Sequence, residues 1–195
     1  NMKVKFLDLG MQPIANGFLE KEREKEEFFY NLSMGFDEDT CLVSQVEFVK
    51  PEMMFNDTYV YHSSLSSTMR THFKLAAEKF SSEFKCEKIL EIGSNDGVFL
   101  KHFSTESAVS VEPCGNFAKI TSDTGVFVFE DPSLLRMIER GSYDQLYDEH
   151  VHMFSVISLS NIFEKIGMEI FRVENLNVHG GSNRIYAKAK SNTSI

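Results

Sequence analysis

Lys88–Phe103, KILEIGSNDGVFLKHF, holds the residues best suited to chemistry. An apolar run ending in Glu91 and Ile92 passes through Gly93, Ser94, Asn95, Asp96 and Gly97 into an amphipathic stretch. A strand, a glycine turn and a helix in that order make a small-ligand site. Bare backbone at two glycines admits close approach, and the free N–H groups of a helix start point at the ligand. A dinucleotide fingerprint would need G-x-G-x-x-G. Here Glu91 precedes the first glycine and Asn95 stands where a middle glycine would sit. Carboxylates at such a turn suit hydroxyls and a cationic amino group better than a pyrophosphate. Glu112 ends the next apolar run, AVSVEP. It lies about twenty residues on, the spacing from which an acidic residue reaches ribose hydroxyls. A generic α/β turn is the alternative reading of the same residues.

The elements around this turn read as alternating strands and helices. SSTMRTHFKLAAEKFSSEF offers a Ser cap followed by Met69, Phe73, Ala76, Ala77 and Phe80 at helical spacing. Next come a strand at 89–93, the turn, a helix at 97–104 and a strand at 108–112. VFVFEDP is continuously apolar, as strands of parallel sheets tend to be. SLLRMIERG reads as a short helix stopped at Gly141, and SLSNIFEKIG as a capped helix ending at Gly167. MEIFRVENL and SNRIYAKAK read as two strands joined across NVHGG. The alternation predicts an α/β domain with a mostly parallel sheet. Residues 1–60 are less regular. A strand and irregular chain fill KFLDLGMQPIANGFL, the solvated run EKEREKEE leads to an edge strand, and TCLVSQVEFV is a further strand.

Bulk composition narrows the classes. The 195 residues suit one domain, or one domain with a small appendage, and 42% hydrophobic content with 18 Phe suffices for a packed core. A net charge of −9 and a pI near 5.2 argue against a nucleic-acid surface. No run is long enough to span a bilayer, and no leader is visible, so no membrane partner is expected. Cys41, Cys86 and Cys114 are few, odd in number and widely spaced. A disulfide framework is therefore not expected, and a reducing cytoplasmic setting is. The initial Asn suggests a trimmed start.

In blocks over most of its length the chain resembles the S-adenosylmethionine-dependent C-methyltransferases that act on nucleotide-linked deoxysugars. The blocks are FLDLGMQPIANGFL, MMFNDTYVYHSSLSSTMRTHF, LEIGSNDGVFL with VEP, GVFVFEDPSLL, YDQLYDEHVHMFS and VHGGSNRIYAKA. The resemblance implies a Rossmann-like class I methyltransferase sheet, mostly parallel with a C-terminal antiparallel hairpin, over 61–195. A small β-rich region over 1–60 would be a zinc-module remnant. It also implies S-adenosylmethionine as cofactor, held by Glu91, Gly93, Ser94, Asn95, Asp96, Gly97 and Glu112, with a nucleotide-linked keto-deoxysugar as substrate. Methylation at a sugar carbon needs a base to form an enolate, and His150 of the DEH motif takes that role with Glu149 supporting it. The bland alternative is a His150 that only bonds within a loop or cap; His152 reads as structural. Tyr61, His62, Ser63 and Ser64 would bind sugar or the cofactor carboxylate, or else simply cap the next helix. His179 beside Gly180 and Gly181 would approach substrate, although a plain hairpin turn explains the glycines equally well.

The chain departs from the family in two places. The family's zinc module uses two C-x-x-C pairs, and GFDEDTCLVSQ keeps only Cys41, so zinc binding is not expected. The family also carries a helix and two further strands between VEP and GVFVFEDP, where only CGNFAKITSDT stands here. That shortening near 113–125 is either a true deletion or omitted residues. It keeps a second reading open, a non-catalytic relative that binds a nucleotide or sugar nucleotide. A gapped sheet would expose strand edges that invite homo-oligomers.

Overall fold

The computed structural model describes residues 3–55, 59–84, 86–104, 106–111 and 126–193. The chain divides into two compact units, Asn1–Tyr59 with Ile120–Ile195, and Val60–Lys119.

The first unit is built on two antiparallel sheets. In one, β1 (Val4–Pro13), β2 (Phe29–Asp37), β3 (Leu42–Gln45) and the two-residue β7 (His152–Met153) lie in that order. The expected edge strand is thus an interior one. Tyr30, Leu32 and Met34 recur every second residue on β2, so they share one face, and they enter a core with Val49, Met54, Met137 and Met153. The run EKEREKEE lies wholly on the surface as a 3-10 turn over Lys21–Glu26, and α1 is a single turn at Pro51–Met54. In the second sheet β9 (Ser182–Ala189) is central, flanked by β6 (Phe127–Pro132) and β8 (Met168–Leu176), all antiparallel. The hairpin across NVHGG is present as expected.

VFVFEDP, expected in a parallel sheet, is instead an antiparallel strand. Its continuous apolarity has a different origin. Phe127 and Phe129 face Phe163 and Phe154 of the core, while Val128 and Glu130 lie on the other face, opposite Tyr186 and Arg184. α3 (Leu134–Arg140) ends at Gly141 in the left-handed region (φ 65°). α4 (Val156–Lys165) starts three residues earlier than its sequence pattern suggests, because Ser155 and Ser158 form a reciprocal capping box.

The second unit holds α2 (Ser67–Glu83), β4 (Ile89–Ile92) and β5 (Ala108–Val111). Ser66 caps α2, its hydroxyl accepting from Met69 N at 3.2 Å. β4 and β5 run parallel in register from Ile89↔Ala108 to Ile92↔Val111. They are the only parallel pair among the described strands, so the sheets are mostly antiparallel and a full Rossmann-like sheet is not seen. The expected helix over 97–104 is a 3-10 turn at Leu100–His102. Its rings serve packing: Phe99 meets Phe73, Phe80 and Phe103 at 6.2, 6.0 and 5.1 Å between centroids. Glu112 and the shortened link 113–125 lie outside the described residues. No described helix is long and apolar enough to cross a membrane.

Candidate functional site

In the second unit the turn after β4 has the backbone its sequence demands. Gly93, Asn95 and Gly97 all take positive φ (71°, 48° and 72°), and Gly97 N closes on Ser94 O at 2.9 Å. Asn tolerates the left-handed region better than most side chains, and Gly does so freely. A Cβ at either glycine would meet nothing within 4 Å, so the backbone there is open to a ligand. Ser94 is buried and Glu91 is half-buried on β4.

Two of the expected cofactor residues face the expected substrate residues. Asn95 Oδ1 accepts from Ser63 N at 3.1 Å while its Nδ2 donates to Tyr61 O at 3.0 Å. Asp96 Oδ2 accepts from Ser64 N at 3.1 Å. The Ser64 hydrogen bonds hold the Asp96 carboxyl below the usual range, so it stays ionised. The structure therefore brings YHSS and the turn together through backbone amides and carbonyls. The Tyr61 and His62 side chains stay exposed, and Ser63 is buried.

The candidate acid–base residues lie in the first unit, in the segment between α3 and β7. His150 N bonds Tyr147 O at 3.0 Å, and this turn folds the two side chains onto each other. Tyr147 Oη lies 2.9 Å from His150 Nε2, the ring centroids 4.2 Å apart. His150 Nδ1 lies 2.9 Å from Gln145 O. A carbonyl can only accept, so Nδ1 carries the proton and Nε2 presents a lone pair to the Tyr147 hydroxyl. Burial lowers the His150 pKa from its ordinary 6.5. The Gln145 hydrogen bond and the charges of Glu149 and Asp148 push the other way, and His179 adds to the lowering. His150 is therefore neutral at pH 7, as a base must be.

The Glu149 carboxylate, expected to support His150, makes its side-chain hydrogen bonds to other residues. Its Oε1 accepts from Asn16 Nδ2 at 2.6 Å and its Oε2 from Tyr59 Oη at 2.9 Å. Its effect on the imidazole is one of charge. Asp148, just before Glu149 in sequence, is fully buried, and its Oδ1 accepts from Ala15 N at 2.9 Å. Gln45 Nε2 donates to the carbonyls of Tyr147, Asp148 and His150 at 2.8, 3.2 and 3.3 Å. His179 sits in a left-handed conformation (φ 48°) in the β8–β9 loop, near enough to influence His150 by charge. Gly181 follows with φ 115° and packs against Arg136, so the loop needs its glycine there. His152 lies against Phe48 and Phe154 and is structural in its contacts.

Sequence reasoning missed Tyr147, Asn16, Tyr59 and Gln45. Only Tyr147 carried a signal, a phenol three residues before the candidate base. The other three come from distant chain.

Residues 1–55 match the family model Methyltransf_13, described as "Putative zinc binding domain". Tetrahedral zinc needs four ligands, and this segment offers one thiol, Cys41, and no imidazole. Cys41 lies in the β2–β3 turn (φ 57°), where Asp37 Oδ1 already accepts from Thr40 N and Oγ1, each at 2.8 Å. Among the described residues no cluster of three or more His, Cys, Asp or Glu is placed to hold a metal. The residues present do not fit zinc. The chain is also similar to C-methyltransferase NovU of Streptomyces niveus, 30% identical over 76 residues. That match covers 39% of this chain and 18% of the relative's length.

Proposed function

We propose that the chain contributes to an S-adenosylmethionine-dependent C-methyltransferase acting on a nucleotide-linked keto-deoxysugar in the cytoplasm. The similarity to a C-methyltransferase supports the reaction class. The observation that carries the acid–base half is the Tyr147–His150 contact with Nδ1 committed to Gln145.

Carbon methylation beside a keto group requires loss of a C–H proton. His150 Nε2 has the free electron pair and Tyr147 stands in front of it as a proton carrier. A proton taken up by the Tyr147 oxygen releases the phenolic proton to Nε2, giving an imidazolium. The carboxylates of Glu149 and Asp148 favour that charge. His179 opposes it. The bound cofactor would supply the electrophilic methyl group. Gly93 and Gly97 leave open backbone for it, and Glu91, Ser94, Asn95 and Asp96 bring the hydroxyl- and amine-binding groups. The resemblance assigns Tyr61–Ser64 of the second unit, and separately His179 of the first, to the sugar nucleotide.

Isothermal titration with S-adenosylhomocysteine and a methyl-transfer assay with His150→Gln test this reading. Binding with activity lost in the variant is the expected outcome. Folded protein with no heat of binding removes the cofactor half, and undiminished turnover in the variant removes the base. Binding of a nucleotide or sugar nucleotide without turnover in the unaltered chain would favour the non-catalytic reading. The two-strand parallel pair and the 3-10 turn in place of a helix give that reading its support.

A further inference from the structure

The carboxylate of Glu149 is gripped at both oxygens by chain far away in sequence. Asn16 reaches Oε1 from 133 residues upstream, and Tyr59 reaches Oε2 from 90 residues upstream. Neither contact is needed to cap an element. Asn16 belongs to an irregular stretch after β1, closed by Gly17 N on Ile14 O at 3.2 Å. Ala15 N holds the adjacent Asp148, so two consecutive residues of this stretch clamp two consecutive acidic residues of the DEH segment.

The consequence lies one residue further on. A carboxylate free to turn toward the neighbouring imidazole would bring its charge closer and favour the protonated form more strongly. We propose that Asn16 and Tyr59 are positioning residues that hold the Glu149 carboxylate away from His150, so that it tunes the base by charge without capturing it. This proposal rests on the reading of His150 as the base, and it assigns the matched N-terminal segment a catalytic-support role in place of a metal site. The groups facing the imidazole are the Tyr147 phenol, the Gln145 carbonyl, the carboxylates of Glu149 and Asp148, and His179 from the β8–β9 loop. Glu149 is the one whose distance Asn16 and Tyr59 control.

The test is an NMR titration of the His150 imidazole in the full chain, which needs no turnover. It would compare the wild type, Asn16→Ala, Tyr59→Phe, Glu149→Gln and the Asn16→Ala/Glu149→Gln double variant. Releasing the carboxylate is expected to raise the His150 midpoint by about half a pH unit or more. The double variant should then titrate like Glu149→Gln alone. Where transfer is measurable, Asn16→Ala should move the acidic limb of the kcat profile up by about the same half unit, lowering kcat at pH 7 by no more than about twofold, with KM within about twofold. An unmoved or lowered midpoint overturns the proposal, and so does an upward move that survives unchanged in the double variant. Tyr59→Phe deletes one hydroxyl and carries the test if Asn16→Ala does not fold. Failure of the base reading shows separately, as turnover that persists in His150→Gln.

Discussion

At the scale of single residues, the Tyr147–His150 contact makes two predictions. Tyr147→Phe keeps the ring and removes the donor to Nε2. It should lower kcat by about 10²-fold, the low end for one acid–base group, while S-adenosylhomocysteine affinity stays unchanged by calorimetry. The pH dependence has a definite sign. Burial is the first cause lowering the His150 pKa, so the neutral base persists below the ordinary 6.5. The acidic limb of the rate profile should therefore fall below pH 6.5, with activity lost as pH drops through the folded value. Burial also lowers the pKa of His152, and Lys3 adds to it. Together the two imidazoles make folding less favourable as pH falls below 6.5, which urea unfolding at pH 7 and pH 5.5 would measure. His150 and Glu149 were legible in the sequence as an adjacent imidazole and carboxylate. The grip on Glu149 was not, because Asn16 lies in a stretch without periodicity and only the fold brings it across.

At the scale of elements, local signals were legible and partner choice was not. Ser66 and the Met69–Phe80 spacing predict α2, Gly141 stops α3, and NVHGG joins β8 to β9 as its residues suggest. The pattern of VFVFEDP cannot say which strand it will pair with, since an apolar run covered on both faces suits either sheet type. Its antiparallel pairing puts Asp131 opposite Asn183, with burial pushing its carboxyl up to about 7. A carboxyl raised in the folded state contributes stability below its unfolded pKa and loses it as pH rises toward 7. Asp131→Asn should therefore stabilise the chain at pH 8 by roughly 2–4 kcal/mol, the gain vanishing near pH 4. Chemical denaturation of both proteins at the two pH values checks it. On the opposite face Arg184 is 5% exposed and binds both Glu130 and Glu174, with Tyr186 Oη also donating to Glu174 at 3.1 Å. Arg184→Met strands two partly buried carboxylates beside each other and should cost about 3 kcal/mol. Loss of less than 1 kcal/mol would mean that water satisfies them.

At the scale of the whole chain, the issue is what holds the N-terminal sheet together. Small zinc modules fold on their metal because they lack a core, and chelators unfold them. Here the sheet has a core of its own, in which Met34 and Met153 are 1% and 2% exposed. That core draws Met137 and Met153 from far along the sequence, and Gln45 ties β3 to the DEH carbonyls. The turn that carries Cys41 is closed by Asp37 and Thr40, and Asn161 Nδ2 donates to Thr40 O at 3.2 Å from α4. Burial of this kind replaces what metal coordination would otherwise contribute to folding. Thermal melting of the 195-residue chain should then be indifferent to metal, with Tm equal within about 2 °C in excess EDTA and in added zinc. Cys41→Ser, in the same turn, should change stability by no more than about 0.5 kcal/mol. A chelator-induced fall of ten degrees or so, a shift of roughly 2.5–5 kcal/mol for a chain of this size, would require ligands that the thiol and nearby carboxylates do not make. Indifference would leave the packed sheet, with Ala15 and Asn16 beside it, as what holds the acidic pair next to His150.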